Sequence, residues 1–135
     1  MDIIDLDDNI KKWQLKGYIS KATATNKSTY HIQARRLLHT KYPTLQILEE
    51  VSIPINRKDT LFLDFYIPMI KKCIEVHGEQ HYKFIPFYHT TKLNFLKAQK
   101  KDRQKQEWCE KNFITYIELP YNLSIQEWED RLNEH

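Results

Sequence analysis

Residues 63–84 read LDFYIPMIKKCIEVHGEQHYKF, and this stretch decides the fold that we expect for the chain. Two strand-like runs, 61–67 and 71–77, flank a Pro-Met turn, and this pattern predicts a β-hairpin. If the hairpin is centred on the peptide bond after the methionine, Asp64 lies directly opposite Glu75. Directly paired side chains in an antiparallel ladder have Cβ atoms roughly 4.5–5.5 Å apart. The sequence therefore brings two carboxylates face to face.

Such a pair repels unless one carboxyl is protonated or a cation lies between the two groups. Strand alternation puts Glu75 and His77 on one face, so one patch of the predicted sheet presents Asp64, Glu75 and His77 together. Carboxylate oxygens are the ligands that Mg²⁺ or Mn²⁺ prefers, and an imidazole beside them supplies a nitrogen base. The patch is a candidate metal site.

The alternative is a half-exposed hairpin whose polar face meets water, which is common in antiparallel sheets. Three features favour a site. Phe62 and Tyr66 share the face of the first carboxylate, so we expect that face to be covered. Gly78, one of only two glycines, follows the second strand and permits a positive φ or a close backbone approach to a ligand. Gln80 and His81 follow at once.

A helix is predicted over 91–111, and its apolar face is interrupted by charge. One face of this helix reads Phe95, Ala98, Asp102, Lys105 and Cys109. The interruption is explained if Asp102 and Lys105 lie over a polar centre, whereas the alternative is that 97–107 is a solvated basic face. The candidates for contacts to a nucleic-acid backbone are Lys97, Lys100, Lys101, Arg103 and Lys105.

The remaining elements complete an α/β pattern. A short helix is predicted within 8–18 and a second over 29–40. Strands are predicted over 45–53 and 113–119, and a Ser-x-x-Glu capping box opens a last helix over 125–133. We expect a mixed β-sheet of about four strands flanked by helices, with the last strand parallel to its predecessor because a helix connects them. Residues 1–26 form an N-terminal extension and 27–135 a single domain.

Composition excludes several classes of protein. The net charge of +3 is too small to indicate polyanion binding by itself. Two distant cysteines without a CxxC motif exclude a zinc ribbon and a disulfide scaffold. Without a secretory signal or an apolar run of about 18 residues, we expect no membrane partner and a location in a reducing cytoplasm, the host cytoplasm if a phage encodes the protein.

The pattern Asp64-x10-Glu75-x-His77 resembles the PD-(D/E)XK nuclease core, with Leu63 in place of the proline of the name and His77 at the position that is often lysine. Over about 60–121 the chain is similar to small nucleases akin to the very-short-patch repair endonuclease and to related phage and giant-virus proteins. The matching residues are Leu63-Asp64-Phe65, Pro68, Ile74-Glu75, His77-Gly78, Gln80-His81-Tyr82, Pro86, Phe95, Gln99, Asp102, Lys105, Trp108-Cys109, Asn112, Ile114, Ile117 and Pro120-Tyr121.

The resemblance implies a restriction-endonuclease-like fold and hydrolysis of DNA phosphodiesters. In this interpretation Asp64, Glu75 and the Val76 carbonyl hold Mg²⁺ or Mn²⁺, and His77 or His81 transfers the proton. Asp102 then orients a histidine, and Gln80 supports the site. The chain departs from the family in the first core helix, where a Ser-x-x-Glu-like glutamate is usual. Here Ser28 is followed by no carboxylate, and His31 or Gln33 is the candidate to fill that role.

Three hypotheses follow from the sequence. The first is a metal-dependent DNA endonuclease, a nickase or a structure-directed cutter. The second is a nucleic-acid-binding module of the same fold that has lost catalysis, which the missing glutamate favours. The third is a DNA-cutting subunit of a larger complex with a helicase or transposase. Cleavage of both strands requires two sites, and therefore a homodimer or two sequential nicks.

Overall fold

The structure, a computed structural model, describes residues 1–135 and contains seven strands and four α-helices. The strands are β1 (Asp2–Ile4), β2 (Ile10–Lys12), β3 (Tyr18–Ile19), β4 (Leu48–Pro54), β5 (Thr60–Ile67), β6 (Lys72–His77) and β7 (Thr115–Pro120). The helices are α1 (Thr29–Lys41), α2 (Pro86–His89), α3 (Lys92–Lys111) and α4 (Ile125–Glu134), with 3₁₀ turns at Pro68–Ile70 and Glu79–His81. The strands and helices predicted beyond residue 28 are confirmed within a few residues.

The main sheet has five strands in the order β3-β4-β5-β6-β7. Neighbouring strands run antiparallel except β6 and β7, which are parallel and are connected through α3. The mixed sheet flanked by helices and the parallel last strand are thus confirmed. The two-residue edge strand β3 was not predicted, because so short a strand leaves no alternating pattern to detect.

Polar caps set where the three long helices begin. The side chain of Ser28 accepts a hydrogen bond from the first turn of α1, and Thr91 does the same for α3. Ser124 and Glu127 form the predicted capping box, in which each side chain accepts from the backbone of the other. These caps satisfy backbone N–H groups that a helix cannot pair internally.

The sheet separates two apolar layers. On one face α1 and α4 cover Phe65, Ile74 and Ile117, with Leu38 and Trp128 as the helical contributions. On the other face α3 contributes Trp108 and Cys109 to a buried cluster that also contains Val51, Leu63, Tyr66 and Cys73. The polar centre described below lies on the α3 side of the sheet, at the end of the second layer.

The alternation of β4 and β5 is interrupted at one position. Leu48 and Val51 belong to the same buried cluster although they are three positions apart, and regular alternation would put them on opposite faces. Glu50, which lies between them, has a φ of 53°, and this backbone conformation reverses which face the following side chains point to. For this reason Tyr66 is buried as predicted while Phe62, expected on the same face, is 55% exposed.

The predicted helix within 8–18 is wrong. Strands β1 and β2 pair as an antiparallel hairpin instead, and Ile3 and Trp13 enter the same core cluster as the α3 face of the sheet. The indole Nε1 of Trp13 donates to the Ser52 carbonyl at 2.9 Å. A helix would have needed several apolar side chains on one buried face, whereas Ile10 is 75% exposed.

None of the helices combines the length and the apolar character needed to span a lipid bilayer. The longest helix, α3, carries charged residues along most of its length.

Candidate functional site

The β5–β6 hairpin has the predicted register. Phe65 pairs with Ile74 in the antiparallel ladder, and the next pair in that direction would be Asp64 with Glu75. Backbone pairing between the two strands ends at this point, and the two carboxylates accept hydrogen bonds from the backbone N–H groups instead. The Asp64 N–H donates to Glu75 Oε2 at 2.5 Å, and the Val76 N–H donates to Asp64 Oδ2 at 2.9 Å. The two carboxylates therefore lie together at the point where the strands separate.

A lysine from α3 lies beside this pair. Lys105 Nζ donates to Glu75 Oε1 at 2.8 Å, and Glu75 is 1% exposed. Burial and the negative charge of Glu75 raise the pKa of Asp64 to about 7, although Lys105 opposes this increase. Burial lowers the pKa of Lys105, but attraction to Glu75, Asp64 and Asp102 outweighs it and leaves that pKa above its ordinary value. Both ways of relieving the carboxylate repulsion, a cation and a proton, are thus available.

His77 is buried at the end of β6, 3% exposed. Its Nδ1 lies 2.8 Å from Glu118 Oε1, and Glu118 is the residue of β7 that pairs with Glu75 across the parallel ladder. The hydrogen bond from His77 lowers the pKa of Glu118 to about 2, with Tyr82 contributing a second hydrogen bond at 2.7 Å. Because an ionised carboxylate accepts only, His77 donates from Nδ1.

His81 lies over His77. The two imidazole rings are parallel to within 3° with centroids 4.1 Å apart. His81 Nδ1 is 2.8 Å from Asp102 Oδ2 on α3, and His77 Nε2 is 3.9 Å from the other oxygen of Asp102. Burial lowers the pKa of His81, but the hydrogen bond to Asp102 and the nearby carboxylates raise it above its ordinary value. Asp102 thus orients a histidine, as the sequence suggested.

An open pocket of about 170 Å³ adjoins the histidines. Its lining includes both imidazoles, Tyr82, Asp102, Arg103 and Glu118. His81 is partly exposed to solvent in this pocket, whereas His77 lines the pocket but is almost completely buried. The arrangement can hold a proton acceptor beside a polar cavity, and its histidine and carboxylate groups are also common metal ligands.

The basic residues of α3 fall into two groups. Lys97, Lys100, Lys101 and Arg103 are exposed, as contacts to a polyanion require. Lys105 is different, because its side chain is only 17% exposed and is paired with Glu75. The two sequence-based interpretations of this helix therefore both apply, one to its outer face and one to the face over the sheet.

Three supporting arguments from the sequence do not hold. Gly78 has a φ of −74°, which any residue adopts, and an added Cβ would meet only the flexible side chain of Gln80. Gln33 lies exposed on α1 and cannot replace the missing helix glutamate from there. His31 is buried, but its Nε2 is bonded to Glu49 Oε1 at 2.7 Å.

That contact belongs to a second buried polar cluster, which the sequence did not reveal. Glu49 on β4 is 4% exposed and accepts two hydrogen bonds from Arg35, at 2.7 and 2.8 Å, and one from Ser20 at 2.5 Å. Burial raises the pKa of Glu49, but its hydrogen bonds to His31, Arg35 and Ser20 lower it far more. These partners clamp α1 to β4.

Glu118 is the site residue that sequence reasoning missed. The sequence predicted the strand and its parallel direction, but aligning the predicted runs 71–77 and 113–119 end to end puts Ile117 next to Glu75. The structure shifts this register by one residue, and so Glu118 lies next to Glu75. Tyr82 donates its hydroxyl to Glu118.

Comparisons with known proteins found only viral relatives without an assigned function. The chain is 41% identical over 68 residues, half of its length, to "Uncharacterized protein 307L" of Invertebrate iridescent virus 6, and covers 34% of that protein. It is 32% identical over 69 residues to "Uncharacterized protein 033L" of Invertebrate iridescent virus 3 and 36% identical over 64 residues to "Uncharacterized protein 094L" of Frog virus 3. The chain spans 36% and 41% of those two proteins. No family model and no solved structure matches.

Proposed function

We propose that the protein is a metal-dependent DNA endonuclease with a restriction-endonuclease-like fold. One observation carries the proposal. Asp64 and Glu75 are held together where the β5–β6 ladder opens, each fixed by a backbone N–H, beside a histidine that a second carboxylate orients. A buried pair of carboxylates gains no stability from its mutual repulsion, and groups with perturbed pKa values cluster at functional sites.

The carboxylate pair fits a divalent cation. Its donors are oxygens, and the raised pKa of Asp64 reflects first its burial and then the negative charge of Glu75, which Lys105 neutralises only in part. Asp64 and Glu75, with the Val76 carbonyl, are the residues that would hold Mg²⁺ or Mn²⁺. When bound, such an ion polarises a phosphate oxygen and lowers the pKa of water. Lys105 holds Glu75 in place and adds positive charge for a phosphodiester.

His81 is the residue that we assign to proton transfer. Both of the candidate histidines lie near the carboxylate pair, but His77 is buried and its Nδ1 is committed to Glu118. His81 is partly exposed at the pocket, and Asp102 fixes its ring at 2.8 Å. A carboxylate on one ring nitrogen leaves the other nitrogen as the acceptor, which suits a general base.

The exposed basic face of α3 is the proposed contact to DNA. Lys97, Lys100, Lys101 and Arg103 are exposed on the helix that also supplies Asp102 to the site. If these four residues each neutralise one phosphate, the logarithm of the binding constant should fall with the logarithm of salt concentration with a slope of about −3.6. Substituting one of them by glutamine should reduce that slope by about 0.9 and weaken binding equally for different sequences.

A catalytically impaired DNA-binding module is the second candidate. Two observations favour it: Lys105 already pairs with Glu75, and His31, at the helix position nearest to the missing glutamate, is engaged by Glu49. On this alternative the basic face binds DNA while the carboxylate pair contributes only to the structure.

A plasmid-nicking assay separates the two candidates. Supercoiled DNA is incubated with the protein in Mg²⁺, Mn²⁺ or EDTA, with an RNA substrate in parallel, while binding is followed by fluorescence anisotropy. The endonuclease proposal expects relaxed or linear product with a metal, none with EDTA, and a loss of at least 100-fold in Asp64→Asn and His81→Gln. Asp2→Asn, at an exposed carboxylate on β1, is the matched control. Binding without cleavage in both metals would establish the binding module instead. A helicase or transposase that copurifies would add the larger complex.

A further inference from the structure

His77 Nε2 is a buried polar atom without a hydrogen-bond partner. Native proteins rarely leave such an atom unpaired without a compensating use, because burial removes its hydrogen bonds to water. The other ring nitrogen, Nδ1, donates to the ionised carboxylate of Glu118 at 2.8 Å. Nε2 is therefore the ring nitrogen of His77 that has room for a further partner, while Glu118 holds the ring in a fixed orientation.

Two other potential ligands lie close to His77. Asp102 Oδ1 is 3.9 Å from His77 Nε2, and the ring of His81 is stacked on the face of the His77 ring with the two centroids 4.1 Å apart. One donor atom from each of His77, His81 and Asp102 lies within 4.8 Å of the others. Ligand atoms about 2.0–2.2 Å from a tetrahedral zinc ion are about 3.4 Å apart, so side-chain rotations that move these atoms together by about 1–1.5 Å bring the three into coordination distance.

The surroundings are those of a metal-bound histidine. In protein metal sites the histidine usually donates its second ring N–H to a carboxylate, which fixes the tautomer and increases the basicity of the ligating nitrogen. Glu118 does this for His77, and the Tyr82 hydroxyl in turn donates to Glu118 at 2.7 Å. This support is independent of the Asp64–Glu75 pair, because neither of those residues contacts the three ligands through a hydrogen bond.

We infer that His77, His81 and Asp102 form a binding site for a transition-metal ion such as Zn²⁺ or Co²⁺, distinct from the all-oxygen pair of Asp64 and Glu75. With this ion bound His81 would be a ligand, so it would serve as the proton acceptor only while the site holds no transition metal. Two imidazole nitrogens and one carboxylate oxygen favour these ions over Mg²⁺ and Ca²⁺, which prefer oxygen ligands. The pocket of about 170 Å³ on the open side leaves room for water to complete the coordination shell.

The test uses Co²⁺ as a spectroscopic probe and Zn²⁺ as its competitor. The chelator-treated full chain is titrated with Co²⁺, and binding is followed by visible absorption and by calorimetry. The expected result is one saturable equivalent that Zn²⁺ displaces and that a 100-fold excess of Mg²⁺ does not. At a Zn²⁺ concentration 100 times its Kd, the Tm should rise by roughly 5–10 °C.

Variants then locate the ion. His81→Gln and Asp102→Asn should weaken Co²⁺ binding at least 100-fold, and Glu118→Gln, which keeps all three ligands, should weaken it about 10- to 100-fold. His135→Gln, at an exposed histidine, should bind as the wild type does. Each variant is first checked for a wild-type melting transition in EDTA, and His81→Gln changes a partly exposed side chain and not a buried one.

Three results would overturn the inference. They are the absence of saturable Co²⁺ and Zn²⁺ binding to wild type, unchanged binding by His81→Gln, and binding that Asp64→Asn abolishes while His81→Gln retains it. The last result would assign the ion to the oxygen pair and leave His81 and Asp102 as a hydrogen-bonded pair only.

Discussion

Replacing Asp64 by asparagine should stabilise the protein at pH 8 and change its stability little at pH 4. Burial and the charge of Glu75 raise the pKa of Asp64 from its ordinary value of 3.8 to about 7. Between these two values the folded state keeps a proton that the unfolded chain has released. The free energy of unfolding of the wild type therefore falls as the pH rises through this window. Asparagine carries no charge and removes that pH dependence.

The magnitude follows from the size of the pKa increase. Each pKa unit corresponds to about 1.36 kcal/mol, so an increase of about 3 is worth about 4 kcal/mol above pH 7. This value is the upper bound, because asparagine adds N–H groups that need acceptors beside Glu75, and we expect a gain of about 2–4 kcal/mol at pH 8. At pH 4, close to the ordinary pKa of 3.8, the unfolded carboxyl is still about 40% protonated, and the gain falls below about 1 kcal/mol. The Asp64 Oδ2 contact from the Val76 N–H at 2.9 Å can be kept by the amide oxygen.

Urea unfolding followed by tryptophan fluorescence measures this difference, since Trp108 and Trp128 are both buried. With a slope of about 1–3 kcal/mol per molar urea, the midpoint at pH 8 should rise by about 1–2 M. Asp2→Asn, which removes the same formal charge at an exposed position, should leave the midpoint unchanged. The reasoning is refuted if Asp64→Asn is no more stable than wild type at pH 8, or if its gain is equal at pH 4 and pH 8.

Three further substitutions test the ion pair at Glu75, a strained backbone position and a close approach of two backbone segments, each by the same urea measurement. Lys105→Met should lower the free energy of unfolding by about 3–5 kcal/mol at pH 7, because it leaves Glu75 buried without its cation; a loss below about 1 kcal/mol would show that the pair contributes little. Phe113→Gly should raise stability by about 0.5–1 kcal/mol, because Phe113 is 88% exposed with a φ of 58°, where a side chain is strained; a loss of stability would contradict this. Gly17→Ala should cost at least about 1 kcal/mol, because its Cβ would lie 2.6 Å from the Glu49 carbonyl oxygen; a neutral result would mean that the β3–β4 approach is adjustable.

Local pattern was sufficient for the hairpin and for most of the candidate site. The turn, the alternation of both strands and the length of each run fixed the register of β5 and β6, so Asp64 and Glu75 could be paired in advance. The interrupted apolar face of α3 likewise predicted that Asp102 and Lys105 lie over a polar centre, where they contact His81 and Glu75.

The same local reasoning failed where packing chose between two weak patterns. Residues 8–18 show neither a clear helical nor a clear strand period in their apolar positions. The hairpin β1–β2 forms because Trp13 packs in the core between Tyr66 and Trp108. The exposed Phe62 has a similar origin, since the positive φ of Glu50 on the neighbouring strand is invisible in the sequence of β5.

The sequence by itself predicted which polar residues meet at the end of the β5–β6 hairpin and on the inner face of α3, because strand period, turn and helical spacing act over only a few neighbours. Tertiary structure decided what each of them is bonded to. The cation beside Glu75 comes from 30 residues further along the chain, and the carboxylate that holds His77 comes from a parallel strand reached through α3. Local sequence pattern does not identify partners at such a distance, because the packing of the elements decides which groups come close. A buried charge or polar group without a partner is costly, so each of these groups is paired with one that the packing places beside it.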